Sequence, residues 1–163
     1  MIVETIDLYA YFGMPRGGAK GGYLTAYRHG RPPMLERKIR PAMLVIPGGA
    51  YLFVSDSEME PVALRFFAAG YDAFALNYSV APEEHYPAQI LQAGMAMLYL
   101  RREAASLDLD GGRIAAVGFS AGGHLCGCIS LLWDDPALVS AFGEEACSGI
   151  RPDAAILSYP VVT

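Results

Sequence analysis

Apolar residues in this chain fall into short continuous runs, separated by longer stretches in which they recur at helical spacing. Residues 2–12 carry a weak alternation through Ile2, Glu4, Ile6 and Leu8 and suit an edge strand. Pro15, Gly17, Gly18, Gly21 and Gly22 then mark a turn. Tyr23 to Arg28 alternates again, so an antiparallel hairpin is expected to open the fold. Arg31-Pro32-Pro33 and Arg37 to Arg40 read as a polar connection. Ala42 to Ile46 is uninterrupted and apolar, as a strand buried on both faces requires. Met59, Val62, Ala63, Phe66 and Phe67 have helical spacing within Ser57 to Ala69; Ser57 with Glu60 is a capping-box pattern, and Gly70 is a stop. Tyr71 to Tyr78 reads as a second buried strand and Ser79 to Pro87 as a loop. A long helix is expected over Ala88 to Leu107, with Ile90, Leu91, Met95, Leu98 and Tyr99 on one side, followed by a turn over Asp108 to Arg113. Ile114 to Val117 is a third buried strand and Leu125 to Trp133 an apolar helix. Asp134 to Pro152 is irregular except for a short helix near Pro136 to Phe142, and Ala154 to Tyr159 is the last strand. From Ala42 onward, strands and helices alternate, which is the pattern of an α/β fold: a mostly parallel sheet with helices on both faces. No repeat, low-complexity tract or linker divides the chain, so residues 1–163 read as one domain.

One junction carries chemistry. Between the strand at Ile114 to Val117 and the following helix lies Gly118-Phe119-Ser120-Ala121-Gly122, a Gly-x-Ser-x-Gly pattern. A strand that turns at once into a helix holds the central serine in strained geometry and lifts its hydroxyl above the sheet. Gly118 and Gly122 fit because larger side chains would strike the neighbouring strand or helix. The N–H of Ala121 then points where a carbonyl oxygen would become an oxyanion. The plainer reading, a glycine-rich turn with a capping serine, is less favoured in this strand–turn–helix context. Pro47-Gly48-Gly49-Ala50 follows an earlier buried strand and can bring the N–H groups of Gly49 and Ala50 close to Ser120. Without the serine motif it would read as an ordinary turn.

Composition narrows the picture. A chain that is 53% hydrophobic and 18% charged has the means for a real core and is not disordered. The net charge of −5, without a basic stripe, argues against nucleic acid. Met1-Ile2-Val3-Glu4 has no signal-peptide character, and the longest apolar stretch, around Pro41 to Val54, is broken by Pro and Gly. No membrane partner and a cytoplasmic location are therefore expected. Cys126, Cys128 and Cys147 are odd in number and lack zinc spacing, so they read as small buried hydrophobes, and neither metal nor cofactor is expected.

Three segments together resemble the α/β-hydrolases of the esterase/lipase type, the branch that includes hormone-sensitive-lipase-like and acetyl-xylan-esterase-like enzymes. They are Pro47-Gly48-Gly49-Ala50-Tyr51; Asn77-Tyr78-Ser79-Val80-Ala81-Pro82-Glu83 with Tyr86-Pro87-Ala88; and Gly118 to Leu125. Their order and spacing match, and the likeness covers nearly the whole chain. It implies Ser120 as nucleophile and Gly49, Ala50 and Ala121 as oxyanion donors. Where the family often has His-Gly-Gly-Gly, Pro47 here stands for His and Ala50 for the last Gly; neither donor is lost. Tyr51, Phe53 and Tyr86 are the expected pocket walls, with ordinary core packing as the competing reading for each.

In that family an acid and a histidine follow the serine on loops after two later strands. His29 and His85 precede Ser120, and His124 lies in the first turn of the helix behind it. His124 reads as a packing or capping residue, with a role as surrogate base the weaker alternative, and His85 as a loop residue near the pocket rim. Asp134, Asp135, Glu144, Glu145 and Asp153 read as surface charges. The chain is thus expected to be a partial domain with its last strands missing and to be inactive or weakly active alone. Residues 154–159 are expected to form an exposed edge, through which copies would self-associate. The resemblance implies a serine carboxylester hydrolase acting on small-acyl or carbohydrate acetyl esters through an acyl-enzyme. A serine peptidase and a non-catalytic binding protein of the same fold are the alternatives.

Overall fold

A computed structural model of the chain describes residues 1–30 and 38–162. The connection expected at Arg31-Pro32-Pro33 and Arg37 lies outside the described residues. The strands are β1 (Ile2–Asp7), β2 (Tyr23–Arg28), β3 (Arg40–Ile46), β4 (Asp72–Asn77), β5 (Leu109–Phe119) and β6 (Ala154–Ser158). They form a single sheet in the order β1-β2-β4-β3-β5-β6. β1 and β2 are antiparallel, as are β2 and β4, whereas β3 pairs in parallel with β4 and β5, and β5 with β6. The expected hairpin and parallel sheet are both present.

Alternate residues of the central strands face opposite layers, as the two-residue period dictates. Leu44, Ile46, Phe74, Leu76, Ile114 and Ala116 join the larger core, beneath α1 (Leu8–Phe12), α3 (Ala88–Arg102), α5 (Ala121–Leu131) and α6 (Pro136–Phe142). Met43, Val45, Ala73, Ala75 and Val117 face the other way, against α2 (Glu60–Ala68). α3 is buried on nearly every side rather than along one stripe. Gly94 makes this close packing feasible: a Cβ there would lie 2.8 Å from Leu138 Cδ2.

Local chemistry moves several expected boundaries. The first strand ends at Asp7 rather than running to residue 12, because the Asp7 carboxylate accepts from Ala10 N–H at 3.0 Å and caps α1, which Gly13 closes at φ 63°. The Ser57–Glu60 capping box does not form. Ser57 lies in a 3-10 turn (Asp56–Glu58), and α2 starts at Glu60 without a side-chain cap, with Pro61 in its first turn. The long helix breaks at Glu103, leaving α4 (Ala104–Leu107) as a separate turn. β5 already starts at Leu109, because Asp108 turns the chain at φ 60°. α5 begins at Ala121, directly after the serine, and α7 (Glu144–Cys147) is an additional short helix. β6 is an edge strand, with Ile156 48% and Leu157 44% exposed.

Candidate functional site

The site lies at the carboxyl ends of the parallel strands, where β3 and β5 deliver their loops side by side. Ser120 is the residue between β5 and α5, at φ 50° and ψ −116°. Such a conformation costs an L-residue about 1–3 kcal/mol and persists only when its surroundings enforce it. The surroundings here are tight. A Cβ at Gly118 would lie 2.2 Å from the Gly122 carbonyl oxygen, and one at Gly122 would lie 2.1 Å from the Ile46 carbonyl oxygen. Only glycine at both positions lets the turn close onto β3. The end of β6 and the residues after it hold Ser120 from the far side: its N–H donates to the Ser158 carbonyl and its carbonyl accepts from Val161 N–H, both at 3.1 Å.

The loop after β3 is equally constrained. Gly49, Ala50 and Tyr51 follow one another at φ 130°, 55° and 58°. Tyr78, at the end of β4, donates its buried hydroxyl to the Pro47 carbonyl at 2.8 Å. The Gly48 carbonyl accepts from Ser55 N–H, and the Gly49 carbonyl accepts from both Leu52 and Phe53 N–H. Gly48 N–H donates to Glu58 Oε2 at 2.7 Å. The N–H groups of Gly49, Ala50 and Ala121, by contrast, donate to no acceptor among the described residues. Ala121 also opens α5, whose N-terminal end carries the positive pole of the helix dipole.

Two hollows flank this arrangement. A cleft of about 390 Å³ is lined by Gly49, Ala50, Phe53, Ser55, Glu58, Ser120 and Tyr159. It brings the serine together with two of the expected donors and one expected pocket aromatic. A more apolar cavity of about 450 Å³ lies behind it, among Tyr51, Tyr86, Ile90, Leu125, Cys128 and Leu132, and does not include Ser120. Tyr86, on its wall, donates to Asp135, at 2.8 Å to Oδ1 and 3.0 Å to Oδ2. That hydrogen bond holds the Tyr86 phenol above its usual range. Asp135 is thus engaged, since it also caps α6 through Ala137 N–H at 2.8 Å. Tyr51 packs against the core and lines this cavity rather than the Ser120 cleft.

The Asn77-Tyr78-Ser79 segment acquires a physical account. Ser79 Oγ accepts from Gly21 N–H and from Gln92 Nε2, Ser79 N–H donates to Gln92 Oε1 at 2.7 Å, and Gln89 Nε2 donates to the Ser79 carbonyl. These bonds anchor the start of the 79–87 loop to α3.

The histidines separate clearly. His29 is at the opposite end of the sheet, bonded to Asp72 through Nδ1 at 2.8 Å and stacked on Phe67. His85 is on the wall of the apolar cavity. His124 Nδ1 meets the Tyr51 hydroxyl at 2.8 Å, and its ring approaches Cys128 Sγ at 3.7 Å. Burial pushes the Tyr51 phenol up, so it stays protonated and can donate to His124. No hydrogen bond joins Ser120 Oγ to any histidine among the described residues. Asp153 is not a bare surface charge: it accepts from Arg101 and from Ile114 N–H. Cys126 and Cys147 are buried and Cys128 is half-buried; burial pushes the Cys126 thiol up to about 12. Among the described residues no group of His, Cys, Asp or Glu could hold a metal ion, and no single helix is long and apolar enough to cross a membrane. Glu58, Ser55 and Tyr159 are the cleft residues the sequence did not indicate. Their contacts span up to 101 positions, and no local pattern marks them.

Comparison with known proteins agrees with this architecture. The BD-FAE family matches residues 31–154. Endo-1,4-beta-xylanase B of Butyrivibrio fibrisolvens is 36% identical over 129 residues, covering 76% of this chain and 20% of its own. Esterase LipQ of Mycobacterium tuberculosis is 29% identical over 138 residues, covering 84% and 32%. An α/β-hydrolase enzyme from a Medee basin deep-sea metagenome library superimposes with a TM-score of 0.79 at 35% identity, covering all of this chain and 58% of that one. An acetyl ester-xyloside bifunctional hydrolase from Caldicellulosiruptor lactoaceticus gives 0.71 at 33%, covering 86% and 49%. The chain therefore spans a third or less of these curated relatives and about half of these solved structures. With the elbow at Ser120, the strand order and these likenesses in agreement, the chain belongs to the BD-FAE family, an α/β-hydrolase family of the esterase/lipase type.

Proposed function

We propose that this chain carries the nucleophile and oxyanion site of a serine carboxylester hydrolase that acts on small-acyl or carbohydrate acetyl esters. The observation that carries the reading is the meeting of a strained serine with unpartnered backbone donors in one cleft. Ser120 Oγ attacks the ester carbonyl carbon and gives up its proton to a base. The carbonyl π electrons move onto oxygen, where the N–H groups of Gly49, Ala50 and Ala121 receive the charge. Collapse of this intermediate breaks the bond to the alcohol, which leaves with a proton, and water then releases the acid from the acyl-serine. The reading assigns the base to none of His29, His85 and His124. A small acyl group suits the cleft of about 390 Å³, which Phe53 and Tyr159 help to line. The acetyl ester-xyloside hydrolase among the structural relatives supports an acetylated carbohydrate as the substrate class.

The test is labelling by a fluorophosphonate, with turnover of 4-nitrophenyl acetate and of an amino-acid anilide measured in parallel. Ser120→Ala is expected to abolish labelling and to remove whatever ester turnover the wild-type chain shows above the uncatalysed rate. Undiminished labelling in that variant overturns the reading, and preferential cleavage of the anilide replaces it with the peptidase alternative.

A further inference from the structure

Glu58 stands in the Ser120 cleft, half-buried at the end of the 3-10 turn, and both of its carboxylate oxygens are engaged. Oε2 accepts from Gly48 N–H at 2.7 Å, and Oε1 accepts from the Tyr159 hydroxyl at 2.9 Å. These partners belong to the two segments that bracket the serine. Gly48 abuts the elbow directly: a Cβ on it would lie 2.7 Å from the Phe119 carbonyl oxygen and 3.1 Å from Ser120 Cβ. Tyr159 sits at φ 36° between Ser158 and Val161 in sequence, the two residues whose backbones clamp Ser120. Glu58 thus closes a circuit that runs from the elbow through the residues after β6, across a carboxylate, to the loop after β3 and back to the elbow.

The loop after β3 needs such an anchor. The carbonyls of Gly49 and Tyr51 accept from Leu52, Phe53 and Ala81 N–H, but the N–H groups of Gly49 and Ala50, the expected donors, are held by no bond of their own among the described residues. A charge-assisted bond to Gly48 is the strong kind. The electrostatics sharpen the point: an anion beside a developing oxyanion opposes the reaction, since like charges in a shielded cleft repel. A carboxylate in this place makes physical sense for what it holds.

We propose that Glu58 is a positioning residue of the Ser120 site, bridging the Gly48 amide and the Tyr159 hydroxyl and so fixing the Gly49 and Ala50 donors against the nucleophile. This rests on the serine reading above.

The experiment compares Glu58→Ala, Glu58→Gln, Tyr159→Phe and the double variant Glu58→Ala/Tyr159→Phe, with Ser120→Ala as control. Glu58→Ala is expected to lower kcat by about 10- to 100-fold with KM little changed, because misplaced donors hurt the transition state more than the bound ester. Glu58→Gln still presents a carbonyl oxygen to Gly48 and recovers most of the loss. Tyr159→Phe costs a few-fold, and the double variant is no worse than Glu58→Ala, since both contacts act through one carboxylate. Thermal unfolding separates this from a merely structural role, in which the folded fraction keeps its kcat. Wild-type kcat in folded Glu58→Ala, or a loss confined to KM, overturns the proposal. Turnover that survives in Ser120→Ala overturns the serine reading instead. A readout independent of turnover decides Glu58 in either case: the ¹⁵N–¹H resonances of Gly48, Gly49 and Ala50 must move together in Glu58→Ala and stay near wild type in Glu58→Gln. Unmoved resonances in Glu58→Ala overturn the positioning role.

Discussion

The two ends of the parallel strands are built on opposite principles. At the amino ends, polar groups satisfy one another. Asp72, 2% exposed, accepts from the His29 N–H and contacts its ring, and Arg101 spans Asp153 and the carbonyls of Gly111 and Arg151. At the carboxyl ends, the Ser120 hydroxyl and three backbone N–H groups find no partner among the described residues, and four of the non-glycine residues with positive φ (Ala50, Tyr51, Ser120 and Tyr159) gather there. One end uses its hydrogen-bonding capacity to hold the sheet together; the other withholds it. The expected location of the chemistry follows from what is withheld, because unpartnered donors beside a nucleophile are available to a substrate.

That contrast can be broken at three points. The largest effect on stability is expected from Gly122→Ala, whose added methyl would sit 2.1 Å from the Ile46 carbonyl oxygen and 2.3 Å from the Pro47 carbonyl oxygen. Backbone has to give, at about 3 kcal/mol or more. Urea unfolding measures it, and fluorophosphonate labelling should fall with it; a variant as stable as wild type would show that the elbow is looser than its geometry. Asp72→Ala comes next, at about 2 kcal/mol, because it strips the acceptor from His29. It should leave the labelling rate of the folded fraction unchanged, and a changed rate would mean the ends are coupled. The smallest effect concerns acid. Burial would raise the Asp153 carboxyl, but the hydrogen bonds from Arg101 and Ile114 outweigh it and hold the group below its usual range. A carboxyl lowered by folding stabilises the folded chain fully above its unfolded value near 3.8 and loses that contribution as pH falls through the folded value. Asp153→Asn should therefore flatten the stability profile on the acid side of pH 4 and lower stability at neutral pH.

Much of this contrast is legible in the chain itself, for physical reasons. Uninterrupted apolar runs such as Ala42 to Ile46 have one comfortable place, in a sheet covered on both faces, so the central strands follow directly. Gly118 and Gly122 announce the elbow because their spacing about Ser120 answers the steric demand of a strand that turns directly into a helix. What escapes is decided across distance or by small margins. Leu8 continues the alternation of β1, yet the Asp7 cap turns the chain into a helix there. Ser57 and Glu60 have the right spacing for a cap, but the 3-10 turn leaves α2 to start after them. Glu58 reads as one more surface acid, and only the approach of Gly48 from ten residues away and of Tyr159 from 101 residues away gives it a place in the cleft.

The clearance at the elbow also ties the serine to distant segments. Gly122 is wedged against the end of β3, and Ser158, at the end of β6, and Val161, beyond it, grip Ser120 through its backbone. The first helical bond, from His124 N–H to the Ser120 carbonyl at 3.0 Å, is local; the other restraints come from distant segments, and a strained residue keeps its conformation only while its surroundings enforce it. The geometry at Ser120 therefore depends on β3, β5 and β6 together, although only β5 is joined to it in sequence. On the serine reading proposed above, labelling at Ser120 would then double as a gauge of whether β6 is seated against β5.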